Sequence, residues 1–134
     1  MSSKIVNPVG ADLKAKMKRG KVVSVEDAVA VIMDGDTVAF EGIAGSVFPE
    51  EVAMKIEEKF LKAGKPRGLT IFYCSGQGDG VKRGQQHLAH EGLMAKVIAG
   101  HFGMAPDIGK LVAANKVIAY NFPQGMLSQM TRDI

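Results

Sequence analysis

The sequence has a single cysteine, Cys74, and no apolar run that approaches the ~20 residues of a membrane-spanning helix. One cysteine excludes an intrachain disulfide framework and a cysteine-based zinc cluster, and it is typical of a reducing compartment, so we expect a cytoplasmic protein with no membrane partner. The Lys-rich N-terminus has no apolar segment behind it, which argues against a secretory signal. With 46% apolar and 23% charged residues among 134, the composition is that of one globular domain.

Two nucleotide-binding fingerprints are also absent, although glycine is abundant. The sixth positions counted from Gly76 and Gly78 are Val81 and Arg83, so the dinucleotide pattern G-x-G-x-x-G is not met. Each of the three Gly-Lys pairs lacks the glycine five residues earlier that a P-loop requires. We therefore expect neither a dinucleotide site nor a P-loop.

The basic charge of the chain is concentrated at its start. Residues 1–21 contain six of the 17 basic side chains and one acid, Asp12, whereas the rest of the chain has 11 basic and 13 acidic side chains. No aromatic residue that could stack on bases is interleaved with these cations, so we expect no nucleic-acid partner. We interpret residues 1–20 as a basic leader arm and 21–134 as the folded part.

From Ser24 onward, short apolar runs alternate with amphipathic stretches. Ser24 is a predicted helix cap, Pro49 suits the first position of a second helix with Ser46 as a possible cap, and Gly64 ends that helix. A weaker helix is predicted over 85–94, and further helices open at Pro106 and Pro123. Strands are predicted at 37–40, 69–73, 95–99 and 117–122. This order predicts an α/β fold, a mostly parallel sheet with helices on both faces.

Glycine collects in the segments that follow the predicted strands. Nine of the 16 glycines lie in the loops 41–49, 74–86, 100–106 and 121–126. In parallel sheets, ligands bind beyond the carboxyl ends of the strands, which is where these loops lie. The last predicted helix has an apolar stripe that runs to Ile134, so the fold is expected to be incomplete and to self-associate through exposed apolar surface.

Histidines and the cysteine offer alternative chemistry, which we weighed against ordinary structural roles. His87, His90 and Glu91 are close in sequence and His101 follows, but their spacing matches neither H-E-x-x-H nor a zinc finger. We interpret the histidines as surface or capping residues and expect no metal site. Cys74 follows a strand, yet no base is identifiable beside it, so we interpret it as a buried small residue.

Three loops together resemble a known family. The segment Asp34-Gly35 to Pro49-Glu50 resembles the first signature of the family I CoA-transferases: an acidic-Gly pair, a strand, a glycine turn and a Gly-x-Pro-Glu entering a helix. The segment Ser75 to Gly80 is similar to the next small-polar loop of the family, and Phe122 to Leu127 resembles its Pro-Gln-Gly turn. The resemblance covers residues 20–134 and is strongest to the N-terminal part of single-chain acetate/propionate CoA-transferases. Glu41, Ile43 and Val47 depart from the family pattern, standing where Gly, Phe and Gly are usual.

The resemblance implies a reaction class. Family members move coenzyme A from an acyl-CoA to a free carboxylate through a glutamate nucleophile and an enzyme–glutamyl-CoA thioester, which is covalent catalysis. That glutamate lies in the C-terminal half of the family's chains, beyond position 134. The resemblance therefore implies that this chain supplies part of the substrate pocket, has no catalytic residue of its own and needs a C-terminal half or partner subunit. Coenzyme A enters as a substrate, and no cofactor is expected.

The substrate-contacting residues follow from the same resemblance. Gln124 matches the family glutamine that donates its amide to the acyl group or carboxylate. The first loop is expected to line the pocket with backbone amides, which can stabilise an oxyanion, and part of the next loop is expected to form the other wall. These residues are Gly42, Ile43, Ala44, Gly45, Ser46, Gly76, Gln77 and Gly78.

Two other functions remain open from the residues alone. One is a non-catalytic ligand-binding or interaction domain on the same α/β scaffold. The other is a relative of sugar-phosphate isomerases or deaminases, since one scaffold hosts unrelated chemistries. The latter needs acid–base residues at strand ends, where Glu41 and Asp79 qualify but have no histidine in the same loop.

Overall fold

The computed structural model describes residues 22–133, and the predicted basic arm lies outside them. Helices and strands alternate along the chain, as the sequence pattern predicts. In chain order they are α1 (Val25–Ala30), β1 (Thr37–Phe40), α2 (Glu50–Ala63), β2 (Leu69–Tyr73), a 3₁₀ helix (Gln85–Leu88), β3 (Met94–Ala99), α3 (Pro106–Ala113), β4 (Ile118–Asn121) and α4 (Gln124–Met130).

The four strands form one sheet in the order β1-β2-β3-β4, and every neighbouring pair is parallel. Phe40, Tyr73, Ala99 and Asn121 are aligned across the sheet, so all four strands end at the same edge. The predicted α/β fold with a mostly parallel sheet is confirmed. The carboxyl edge of the sheet therefore carries all the glycine-rich loops.

The core lies between one face of the sheet and the helices that connect its strands. Ile71, Val97 and Ala99 are fully buried there, together with Ile56 of α2 and Ile108 of α3. The 3₁₀ helix contacts both α2 and α3, which places the three connecting segments on the same side of the sheet. This arrangement is the one that right-handed crossovers produce when consecutive strands are neighbours.

The opposite face of the sheet is covered unevenly. Successive strand residues point to opposite faces, so Phe72, Ile98, Ile118 and Tyr120 share the face turned away from α2. Phe72 is buried, whereas Ile118 is 58% and Tyr120 46% exposed. Apolar area is thus left open at the β4 end of this face.

Capping residues define the helix ends largely as predicted. The Ser24 Oγ accepts a hydrogen bond from the backbone N–H of Asp27 at 3.1 Å, which confirms Ser24 as the cap of α1. Gly64 ends α2 with a left-handed φ of 66°. Pro49 is the N-cap rather than the first helical residue of α2. No side chain among residues 22–133 caps that helix, so the predicted cap Ser46 is also wrong.

The predicted helix over 85–94 is wrong. The segment forms only four residues of 3₁₀ helix, and β3 begins at Met94. Gln85, Gln86 and His87 are turned inward, where their side chains bond to the second loop (residues 74–84, between β2 and the 3₁₀ helix), α3 and α2. These tertiary hydrogen bonds replace the apolar stripe that a packed α-helix would need.

Candidate functional site

The first loop, residues 41–49, folds back on itself beyond β1. The N–H of Ile43 donates to the carbonyl of Ser46 at 3.1 Å, and the N–H of Ser46 donates back to the carbonyl of Ile43 at 2.8 Å. The N–H of Ala44 donates to the carbonyl of Gly76. Three of the five predicted pocket amides are therefore used inside the molecule. The described residues give no acceptor to the amides of Gly42, which is half-buried, and Gly45, which is exposed.

The backbone of this loop is strained at two residues. Ala44 has φ of 49° and Val47 has φ of 58°, the left-handed region that side chains disfavour. Each such residue costs roughly 1–3 kcal/mol, and a β-branched valine is an outlier there. Val47 stands where the resembling family has glycine, and it keeps a glycine-like conformation with its side chain 88% exposed.

The first and second loops are joined directly. The Ala44 carbonyl accepts the N–H of Gly78 at 2.8 Å, which with the Ala44–Gly76 bond makes a short parallel bridge between residues 44 and 77. Gly76 and Gly78 are both buried in this seam. A side chain at Gly78 would lie 2.5 Å from the carbonyl oxygen of Met104. The two predicted walls are thus in contact.

The side chain of Gln77 lies beneath the loops and is 1% exposed. Its Nε2 donates to the carbonyl of Phe40 at 3.0 Å and to that of Gly42 at 3.2 Å. Its Oε1 accepts a hydrogen bond from Gln85 Nε2 at 2.7 Å. Both hydrogens of the amide and one oxygen lone pair are engaged inside the protein, so only the backbone of Gln77 is left for a ligand.

A carboxylate organises the remainder of the second loop. Asp79 Oδ1 accepts the backbone N–H groups of Val81, Lys82 and Arg83 at 2.8–3.0 Å. These amides lower the pKa of the Asp79 carboxyl to about 2, because they favour its charged form. With its charge satisfied locally, Asp79 is a loop-stabilising residue and not a general base at neutral pH.

Two histidines and two glutamates fasten the second loop to α2. His87 is 7% exposed, so the interpretation of it as a surface histidine is wrong. Its Nε2 lies 3.0 Å from Glu50 Oε1 and its Nδ1 lies 2.5 Å from Glu57 Oε2. Glu57 also bonds His90 Nε2 at 2.7 Å, and Glu50 accepts the N–H of Gly84. With a carboxylate at each ring nitrogen, both hydrogen bonds of His87 form when the ring carries two protons or a carboxyl carries one.

His101 belongs to the third loop (residues 100–105, between β3 and α3) and lies against Gly76 of the second loop. Its Nδ1 accepts the N–H of Gly103 at 2.9 Å, so the proton of the neutral ring is on Nε2. A side chain at Gly76 would lie only 2.2 Å from that Nε2, and one at Gly100 would lie 2.3 Å from the carbonyl oxygen of Cys74. Glycine at these positions lets adjacent strand ends approach closely.

Cys74 and Glu41 are neighbours at the ends of β2 and β1, with 4.0 Å between Sγ and Oε1. Partial burial and the Glu41 charge raise the pKa of the Cys74 thiol. A raised pKa disfavours the thiolate that a nucleophile requires. The thiol is half-buried rather than fully buried.

Gln124 begins α4 at the far end of the same edge, and its side chain is exposed. Asn121 ties this end to the third loop, donating from Nδ2 to the carbonyls of Ala99 and Gly100 at 3.1 and 2.8 Å. Because β1 and β4 are separated by three strand spacings, the first loop and Gln124 start about 14 Å apart. Both open on the same edge of the sheet, as a ligand lying across the edge requires.

Other kinds of site find less support. Within residues 22–133, no group of three or more His, Cys, Asp or Glu side chains is arranged to hold a metal ion. Over the same range, none of the helices combines the length and the apolar character required to cross a bilayer.

The fold and the edge together define a class of protein: a parallel α/β domain with glycine-rich loops along the carboxyl edge of its sheet. The chain belongs to the coenzyme A transferase family, whose sequence pattern matches residues 22–132. The suspected resemblance is thereby confirmed.

Individual relatives agree with this assignment. Acetate CoA-transferase YdiF of Escherichia coli K12 is 37% identical over 115 residues, and caffeate CoA-transferase of Acetobacterium woodii is 38% identical over 114, each covering 85% of this chain. Acetate CoA-transferase subunit alpha of E. coli K12 is 29% identical over 112 residues. The chain spans 22% of the length of the first two and 48% of the third.

Solved structures give the same result in three dimensions. The acyl-CoA transferase YdiF of E. coli O157:H7, in a thioester complex with CoA, superposes with a TM-score of 0.78 at 37% identity over 80% of this chain and 22% of that one. Its apoenzyme gives the same TM-score over 81% of this chain.

Proposed function

We propose that this chain forms part of the acyl-CoA pocket of an enzyme that transfers coenzyme A between a short-chain acyl-CoA, of the acetate or propionate class, and a free carboxylate. The observation that carries the proposal is the pair of unbonded amides at Gly42 and Gly45, on a turn where the amides of Ile43, Ala44 and Ser46 are bonded internally. Open, fixed N–H groups suit a thioester carbonyl that gains negative charge on attack. The names of the relatives support the reaction class.

The proposal assigns separate roles to the two ends of the edge. The amides of Gly42 and Gly45 face the acyl oxygen, and Gly76 and Gly78 form the adjoining wall. The exposed carboxamide of Gln124 donates to the substrate carboxylate or acyl group, which a neutral donor can do for either. The attacking glutamate comes from polypeptide outside the described residues, since Glu41, the glutamate of the first loop, belongs to the first family signature.

Uncovered apolar residues support a further part of the proposal, that more protein covers this domain. Ile118 and Tyr120 on the sheet and Met126 on α4 are 46–58% exposed. Such surface is typical of an interface. We propose that a C-terminal half, a partner subunit or a second copy covers it, and light scattering that returns only monomer at high protein concentration would contradict self-association of the isolated chain.

A titration with acetyl-CoA tests the pocket. We expect the backbone amide resonances of Gly42 and Gly45 to shift, while that of Gly35, at the opposite edge and bonded to Arg67, stays in place. Gln124→Ala is expected to weaken binding about fivefold, since a hydrogen bond to the neutral thioester carbonyl contributes about 1 kcal/mol. The matched control is Gln129→Ala, an exposed glutamine of the same helix. Equal shifts at both edges would contradict the proposed pocket.

Turnover tests the missing nucleophile. We expect the isolated chain to bind acetyl-CoA without exchanging label between acetate and acetyl-CoA. Measurable exchange by the pure chain would overturn the assignment of the nucleophile to other polypeptide. Binding without exchange in the presence of every other part of the enzyme would favour the alternative, a non-catalytic binding domain.

A further inference from the structure

We propose that Gln77 is a positioning residue, which sets the direction of the Gly42 amide without touching the substrate. The inference rests on the proposed function, because it assigns Gly42 N–H to the acyl carbonyl. Gln77 is buried at 1% exposure, below the seam between the first and second loops. All the hydrogen bonds of its side-chain amide are made within the protein. It therefore affects a substrate only by holding the first loop in place.

The two carbonyls that accept hydrogen bonds from Gln77 lie on either side of the peptide that carries the Gly42 N–H. Nε2 donates to the carbonyls of Phe40 and Gly42, which belong to the peptides before and after the one that carries Gly42 N–H. A planar peptide between two fixed neighbours has little freedom to rotate. Gly42 itself has φ of 143°, a conformation that side chains rarely adopt, so the direction of its N–H depends on being held.

The orientation of the Gln77 amide is itself determined. Two carbonyl oxygens face its Nε2, so that atom must be the NH₂ group and the other must be the oxygen. Gln85, fully buried, then donates its Nε2 to that oxygen at 2.7 Å. The Gln85 Oε1 is left without a partner among the described residues, which is unfavourable for a buried oxygen. The hydrogen bonds therefore run in one direction: Gln85 donates to Gln77, and Gln77 donates to the carbonyl of Gly42 in the first loop.

Gln86 provides a matched control. It is a neighbouring, nearly buried glutamine, and its carboxamide also bridges two segments, donating to Asp107 Oδ2 at 2.7 Å and accepting the N–H of Asp107 at 2.9 Å. It joins the 3₁₀ helix to α3 and, through the Val81 carbonyl at 3.3 Å, to the second loop, and among the described residues it makes no bond to the first loop. Gln77→Leu and Gln86→Leu thus remove the same chemical group from two different connections.

Amide hydrogen exchange of the whole chain tests the structural half of the inference. In Gln77→Leu we expect the amides of Ile43 and Ala44 to exchange at least tenfold faster, with α3 unchanged. In Gln86→Leu we expect the reverse. Gln77→Asn, which keeps the amide but shortens its reach, decides the question if the leucine variant does not fold. Unchanged exchange at Ile43 and Ala44 overturns the inference.

Ligand affinity tests the other half. We expect Gln77→Leu to weaken acetyl-CoA binding at least fivefold, and binding of S-ethyl-CoA, a thioether that lacks the thioester carbonyl, less than twofold. Equal losses for both ligands would indicate general damage and overturn the positioning role. If the unchanged chain binds neither ligand, the proposed function fails, and the ligand half of the inference fails with it. The exchange result then still decides whether Gln77 holds the loop.

Discussion

The two ends of the carboxyl edge are built in opposite ways. At the first-loop end, Gly42–Ser46 and Gly76–Gly84 are joined by backbone bridges and by the buried Gln77, with Glu50 and His87 behind them. At the Gln124 end, the turn before α4 is largely exposed, and it is tied to β3 and the third loop by the side chain of Asn121 and by the N–H of Phe122, which donates to the Ala99 carbonyl at 3.2 Å. A fixed end suits an oxyanion, which needs donors already in place, whereas an exposed end suits a substrate that must enter and leave.

The largest effect is expected from a side chain added at Gly84, at the first-loop end of the edge. A side chain at Gly84 would lie 2.4 Å from Gly78 Cα, and its φ is 70°. We expect Gly84→Val to lower the free energy of unfolding by at least about 3 kcal/mol, as close backbone contact and left-handed strain add. Gly125→Ala at the open end, with nothing within 4 Å, should raise it by about 0.5–1 kcal/mol. Urea denaturation measures both free energies of unfolding. Similar losses of stability in the two variants would contradict the difference between the two ends of the edge.

The second-largest loss of stability is expected at His87, which lies behind the first-loop end of the edge. His87→Leu leaves the carboxylates of Glu50 and Glu57 without their shared partner, and we expect a loss of about 2 kcal/mol. His90→Leu, which removes one bond from a half-buried ring, should cost about half as much. Thermal unfolding of both variants gives the ranking. A larger loss for His90→Leu would show that the network is not centred on His87.

A smaller effect, of opposite sign, is expected at Val47. A left-handed backbone destabilises a residue with a side chain by about 1–2 kcal/mol. Glycine avoids this strain, but its greater freedom in the unfolded state lowers the free energy of unfolding by up to about 1 kcal/mol. We expect Val47→Gly to stabilise the chain by about 0.5 kcal/mol. Val47→Ala, which keeps a Cβ, is the control and should gain less. Destabilisation by glycine would mean that the exposed valine side chain makes contacts that matter.

The smallest effect is a pH dependence of the second loop. Because the folded pKa of Asp79, about 2, lies below the unfolded value of about 3.9, its stabilisation is complete above about pH 4 and is lost as the pH falls through 2. Asp79→Asn should therefore lose less stability than the parent over this range, measured by acid unfolding.

Salt separates this effect from a surface ion pair. The pKa of Glu58 is also lowered to about 2, but by Lys55 and Lys62 on the exposed side of α2. Salt should weaken the Glu58 contribution and leave that of Asp79, which depends on backbone amides. Equal salt sensitivity of Asp79→Asn and Glu58→Gln would contradict this cause.

Local signals in the sequence predicted the elements well where one residue type decides the conformation. Ser24, Gly64 and Pro106 bound helices as capping and proline preferences require, and the apolar runs at 37–40 and 69–73 are strands. Residues 85–94 were misjudged because Gln85, Gln86 and His87 obtain partners that are distant in sequence. The absence of an apolar stripe in that segment was the available signal.

The sequence by itself determined the alternation of strands and helices, the family, and the collection of glycines at one edge, because these depend on local preference and on motif spacing. Only the tertiary structure decided which amides stay open, that Gln77 is an internal support, and that His87 is buried between two glutamates. Those properties depend on which groups meet across 30 to 40 residues of chain. A hydrogen-bonding side chain has no fixed role until its partners are in place.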